Sequence, residues 1–271
     1  MRISLCNEVL PLPWEKALEV AAGLGFEGVE VAPYTLASDV RQIPRAERVK
    51  LLEAAQSFSL EICGLHWLLV SPPGLHLAHS DPAVREQTVE YMGELARFCA
   101  DLNGRVMVLG SPKQRSTLPG QSREDAWTML RDSLKRACRY AEDLGVVIAL
   151  EPLARHLTDM VNTLGEAVRM VEEVGSPALR VNLDVYSMTD EGKPYGEIIR
   201  EAGPLLAHFH ANDTNGLAPG SGSADYREIL STLRSVGYGG WLSIEILGSV
   251  EDPLEAARTG LRHLRSLLAA P

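Results

Sequence analysis

At 271 residues, with 45% hydrophobic, 23% charged and only 6% aromatic residues, the chain has the composition of a soluble globular enzyme with a sizeable core. Its formal charge of −10 argues against a polyanionic partner, because nucleic-acid binding needs a basic stripe that displaces counterions. No apolar run reaches transmembrane length, so neither nucleic acid nor a membrane is an expected partner.

The N-terminal MRISLC enters a strand at once, without the basic and apolar regions of a signal peptide, which makes the cytoplasm the expected location. Short apolar or β-branched runs then recur along the chain: ISLC near the start, 28–32, 60–66, 105–110, 145–151, 179–184, 205–210 and 241–246. Stretches of helical spacing separate them. Asp81-Pro82 supplies an N-cap followed by proline at the first helical position, and Thr163 with Glu166 forms a capping-box pattern. DLG at 143–145 and EVG at 173–175 end two helices on glycine. Eight strands alternating with helices, and no linker, predict one (β/α)8 barrel domain over residues 1–271. An open doubly wound sheet is the weaker alternative, because no GxGxxG follows the first strand. Cys6, Cys63, Cys99 and Cys138 have neither CxxC nor zinc-site spacing and are expected to be buried thiols.

The long connections follow strands 3, 4 and 7, on the C-terminal face where such barrels keep their chemistry. Strand 5 ends at Glu151, strand 6 at Asp184 and strand 7 at His210, while strand 8 carries Glu245 near its end. These four are separated by 33, 26 and 35 residues, about one strand-helix unit each, so a closed barrel brings them to neighbouring points of one rim. Three carboxylates and one imidazole would repel one another without a cation, and the set suits one divalent ion, Mn²⁺, Mg²⁺, Co²⁺ or Zn²⁺. A salt-bridged structural residue would explain any one of them alone, but not four at one level. In HFHANDTNG (208–216), His208 and His210 share a face of the strand. His210 is placed on the metal and His208 one layer deeper, beside it or in the core.

At these residues the sequence resembles the sugar phosphate isomerase/epimerase superfamily, the xylose-isomerase-like barrels that include ketose 3-epimerases, hydroxypyruvate isomerases, inosose dehydratases and endonuclease IV. The resemblance spans essentially the whole chain and rests on ALEPL (149–153), NLD (182–184), HFHAND (208–213), PGSGSADY (219–226) and GYGGWLSIEI (237–246). It implies Glu151, Asp184, His210 and Glu245 as metal ligands. It also implies Glu151 and Glu245 as the acid/base pair, on either side of a chelated α-hydroxyketone whose enediolate the metal stabilises. Three positions depart from the epimerase pattern: Leu157 stands where those enzymes carry glutamate, Ser187 where they carry histidine and Gly216 where they carry arginine. The metal centre is therefore expected to be intact and the groups that orient substrate to differ.

Candidate orienting groups are His66 and Trp67 after strand 3, Arg155 and His156 within EPLARH, and Ser187. Lys113 and Arg115, after strand 4, suit a clamp for phosphate or carboxylate, or else carry solvated loop charges. A packed histidine at His66 and a surface ion pair at Arg155 are the bland alternatives. Glu30 and Glu8 either line the pocket or pair with basic neighbours, and His76 and His79 belong to a lid or to plain loop chemistry. The function expected is metal-dependent isomerisation or epimerisation of a small sugar, keto sugar or sugar phosphate, with a homo-oligomer as the one protein partner considered. The rivals are a dehydratase or lyase on an oxidised sugar or glycoside, an endonuclease-like hydrolase, and a non-catalytic sugar-binding or partner-subunit barrel.

Overall fold

The computed structural model describes residues 1–269; residues 270 and 271 of the expected domain lie outside them. Eight parallel strands close into a barrel in chain order: β1 (Arg2–Cys6), β2 (Gly28–Val31), β3 (Glu61–Leu65), β4 (Val106–Leu109), β5 (Val147–Leu150), β6 (Leu179–Asp184), β7 (Leu206–Ala211) and β8 (Trp241–Ile244). β8 returns to β1, pairing Arg2 with Trp241 and Leu5 with Ile244, so no sheet edge is left open. Around the barrel run α1 (Trp14–Leu24), α2 (Arg45–Ser57), α3 (Pro82–Asp101), α4 (Arg123–Leu144), α5 (Leu164–Val174), the single turn α6 (Val185–Met188), α7 (Tyr195–Ala202), α8 (Tyr226–Ser235) and α9 (Pro253–Leu268). The strands match the eight apolar runs to within about two residues at either end.

The helices form where the residue pattern allows them. In α4, Ala126, Trp127, Leu130, Leu134, Ala137, Cys138 and Ala141 are buried at spacings of three and four, which lays one apolar stripe against the barrel. The anticipated caps are present: the Asp81 side chain accepts from the Ala83 N–H, and Thr163 Oγ1 accepts from the Glu166 N–H. The returning half of the capping box lands one residue early, on the Asn162 N–H, at 2.7 Å from Glu166 Oε2. Gly145 and Gly175 close α4 and α5 in the left-handed conformation. All four cysteines are buried free thiols. Among the described residues no helix is long and apolar enough to cross a membrane.

The barrel interior is polar where it approaches the C-terminal rim. Ser4, Glu30, Asn182, His208 and Ser243 are each fully buried, or within 1% of it, and Ser4 Oγ meets Ser243 Oγ at 2.6 Å. Strand register then sets the rim: Asp184 pairs with His210 across β6 and β7, and His210 with Ser243 across β7 and β8.

Candidate metal centre and catalytic pocket

Glu151 and Glu245 each lie one residue past the end of a strand, and Asp184 ends β6, so their side chains rise from the mouth of the barrel. One ligand atom from each of Glu151, Asp184, His210 and Glu245 lies within 4.8 Å of the others, and all four residues are at least 94% buried. The sequence placed these four at one level, and the tertiary structure brings them together. Gly110 makes room for them: a Cβ there would sit 2.5 Å from Glu151 Oε2.

His210 decides what this cluster can hold. Its Nε2 lies 3.3 Å from Glu30 Oε1, while its Nδ1 points at Glu245 Oε2 (3.1 Å) and Glu151 Oε1 (3.6 Å) without forming a hydrogen bond of good geometry. An Nε2–H donating to a buried carboxylate leaves the Nδ1 lone pair facing three carboxylates, which is how a histidine ligand is oriented toward a divalent ion. The residues therefore fit a metal, with oxygen donors and one nitrogen.

Each ligand is held from behind. Asp184 accepts from the Ser187 N–H (2.7 Å) and from Asn212 Nδ2 (2.5 Å), and Asn212 Oδ1 in turn accepts from the Tyr186 N–H. The carboxylate of Glu30, fully buried, bridges the two histidines of HFH: Oε2 lies 2.7 Å from His208 Nε2, and Oε1 faces His210. His66 sits between Glu8 Oε2, at 2.9 Å from Nε2, and Glu245 Oε1, at 3.6 Å from Nδ1.

The electrostatics follow from crowding charge in a dry place. Burial, reinforced by the charges of Glu151 and Glu245, raises the Asp184 carboxyl above its ordinary range. Burial acts the same way on Glu245, but the facing rings of His210 and His66 outweigh it and hold that carboxyl low. For His210 and His66 burial opposes the charged ring and loses to the surrounding carboxylates: His66 is pushed up to about 10 by Glu8 and Glu245, and His210 is raised by Glu245 and Glu30. Cations on the rings answer the negative charge of the cluster, which is the demand that a metal ion meets.

The remaining candidates separate cleanly. His66, Trp67, His156 and Ser187 line the cavity over the four ligands. Arg115 does not. It is fully buried beneath the rim, and its guanidinium donates to the backbone carbonyls of Leu109 (3.2 Å), Glu151 (2.8 Å) and Val161 (3.3 Å), so it cannot clamp substrate. Lys113 is an exposed loop residue outside the cavity, and Arg155 spends its charge on Asp190 at 2.8 Å. His76 and His79 turn toward loop backbone, accepting from the Ala78 and Asp81 N–H groups. Tyr186 and Leu247 line the cavity and were not anticipated; neither carries a motif, and they reach it from the single turn α6 and from the segment after β8.

Residues 18–267 match the family model of the xylose isomerase-like TIM barrel. The chain belongs to that family. Within the xylose isomerase-like barrels, it is 24% identical over 267 residues to fructoselysine 3-epimerase of Escherichia coli O157:H7, covering 95% of this chain and 94% of that protein. It is 33% identical over 138 residues to 3-dehydro-D-guloside 4-epimerase of Escherichia coli K12, covering 51% of this chain and 53% of the relative. Among solved structures, D-psicose 3-epimerase of Clostridium cellulolyticum H10 superposes with a TM-score of 0.87 at 21% identity, over the whole of both chains. The 3-keto-D-glucoside 4-epimerase of E. coli superposes with a TM-score of 0.85 at 23% identity, over 98% of this chain and 99% of that one. Both superpositions show the same barrel. An isomerase or epimerase is the enzyme class to which membership and relatives assign this chain.

Proposed function

We propose that the protein is a divalent-metal-dependent epimerase or isomerase of a small keto sugar, acting as one barrel domain with Glu151 and Glu245 as its proton-transfer pair. The observation that carries this reading is the buried cluster of Glu151, Asp184, His210 and Glu245, with the free Nδ1 of His210 aimed into it. The relatives named as sugar epimerases support the substrate class.

Glu151, Asp184, His210 and Glu245 would hold the ion, which when bound supplies the positive charge that acidifies the carbon beside a substrate carbonyl. Mn²⁺, Mg²⁺, Co²⁺ and Zn²⁺ all suit this donor set. Glu151 and Glu245 approach the cavity from β5 and β8, three strands apart, and so address a bound sugar from different sides. One removes the proton next to the carbonyl and the other returns a proton to the opposite face, which inverts the carbon. Glu245 is suited to the role of base, because the His66 ring faces its Oε1 at 3.6 Å from the side away from His210. Burial of the cluster excludes bulk water and strengthens each of these interactions.

The test is deuterium uptake from D₂O into a panel of ketoses and keto sugars, followed by NMR with the protein loaded with Mg²⁺. Uptake at the carbon beside the carbonyl is expected in the parent. Glu245→Gln is expected to keep its metal and lose the exchange, and His210→Ala to lose the metal itself. Normal turnover in both variants would remove the mechanism.

A further inference from the structure

The cavity above the four ligands has a volume of about 330 Å³, within the range of small-molecule sites. Its floor and its walls differ in character. The floor is the charged cluster; the walls are built largely from Trp67, Val108, Leu153, Leu157, Tyr186 and Leu247. Leu157 and Leu247 are 37% and 40% exposed, so two leucine side chains stand bare at the mouth. Both line the same cavity, and apolar walls with a few polar groups are the usual make-up of a small-molecule site.

This wall is a built feature. The Leu247 N–H donates to the Gly216 carbonyl at 2.8 Å, which pins the β8 loop against the β7 loop. Gly216 has φ +73°, and a Cβ there would lie 3.5 Å from Leu247 Cβ and 3.7 Å from Tyr186 Cδ2. Glycine thus meets the backbone requirement, and the leucine and the tyrosine ring stand at contact distance on either side of it.

Charge is distributed to match. Among the described residues no lysine or arginine lines the cavity. The three nearby candidates are engaged elsewhere: Arg115 on buried carbonyls, Arg155 on Asp190, and Lys113 out on its loop. A phosphate at the far end of a substrate would meet leucine and no cation. The polar lining is split in height: the Oγ of Ser187 is buried and unpartnered near the metal ligands, while His156 and Asn215 are exposed at the rim.

We propose that the substrate is an uncharged keto-sugar glycoside bearing an apolar, aryl-type substituent. The sugar ring sits over the metal ligands beside Ser187, and the substituent lies against Leu157, Leu247 and Tyr186. This rests on the epimerase reading for the chemistry at the floor, but the specificity is a property of the wall.

The experiment is calorimetric titration of the Mn²⁺-loaded full-length protein with methyl β-D-glucoside, phenyl β-D-glucoside and glucose 6-phosphate. None of these carries a ketone, so binding is read without turnover. The phenyl glucoside is expected to bind tighter than the methyl glucoside by about ten-fold or more, with the phosphate weakest. Leu157→Asn and Leu247→Asn are expected to bring the two glucosides within about two-fold of each other, while the rise in Tm on adding Mn²⁺ stays that of the parent. Equal affinities in the parent, tightest binding of the phosphate, or no binding of any of the three overturns the proposal. So does a dimer, detected by light scattering, that shields both leucines. Phenyl preference with no deuterium exchange on any keto sugar overturns only the epimerase reading. Exchange on free ketoses with no phenyl preference overturns only this one.

Discussion

Glu30 does not line the cavity, yet it governs which nitrogen of His210 is free. Its buried carboxylate takes the Nε2 sides of both His208 and His210, and burial, which would otherwise raise it, is outweighed by these rings, so it stays ionised. Glu30→Gln replaces an obligate acceptor with a group that can also donate, and the His210 ring loses its orientation. Metal affinity is expected to fall by about 10–100-fold, measured by Mn²⁺ titration. Asp184 makes a second prediction at this scale. An acid raised on folding contributes stability while protonated and loses it as pH climbs through the raised value, so from this group the metal-free protein weakens toward neutrality. A cation must displace that proton, so Mn²⁺ affinity is expected to rise with pH and binding to release protons. Titrations on either side of neutrality, in buffers of different ionisation enthalpy, measure both.

Between elements, Arg115 does what backbone hydrogen bonding leaves undone. It ties the carbonyl of Leu109 at the end of β4 to those of Glu151 after β5 and Val161 before α5. Its own charge is costly there: burial pulls its pKa down to about 10, against the pull of Glu151 and Glu166. Arg115→Met relieves that cost but strands the carbonyls that the guanidinium paired. A net loss of about 1–3 kcal/mol is expected from denaturant unfolding, accompanied by weaker metal binding because Glu151 loses its backbone anchor. The strand register carries a similar lesson. Asp184 pairs with His210 only because β6 and β7 shift register between Val181 and Asn182. Without that irregularity the ladder pairing Val181 with Leu206 would not set Asn182 opposite His208 and Asp184 opposite His210.

For the whole molecule, closure of the barrel and occupation of the rim are linked. Four strands on one side of the barrel converge three carboxylates on each other, a repulsion that folding overcomes and that a bound cation relieves. Metal is therefore expected to stabilise the fold, by about 2.7 kcal/mol when free ion exceeds its Kd a hundred-fold. A chelator is expected to lower Tm, and Mn²⁺ to restore it; an unchanged Tm in both directions would count against the metal centre.

The sequence by itself determined the architecture, because apolar strands alternating with amphipathic, capped helices at a steady spacing are compatible with few folds besides a closed βα barrel. It also determined the four candidate ligands, since residues at strand ends, one unit apart, must meet on one rim. The tertiary structure alone decided where the lone charges went. Arg115 lies close in sequence to Lys113, yet one is buried on carbonyls and the other exposed, because side-chain direction in a loop has no period to read. Glu30 was legible as an acid in an apolar strand, but its two histidine partners lie 178 and 180 residues away, and only barrel closure brings them together. Tyr186 and Leu247 belong to the cavity for the same reason: residues of a single helical turn and of a loop acquire neighbours when the segments at the rim pack, and no local pattern in the chain encodes that contact.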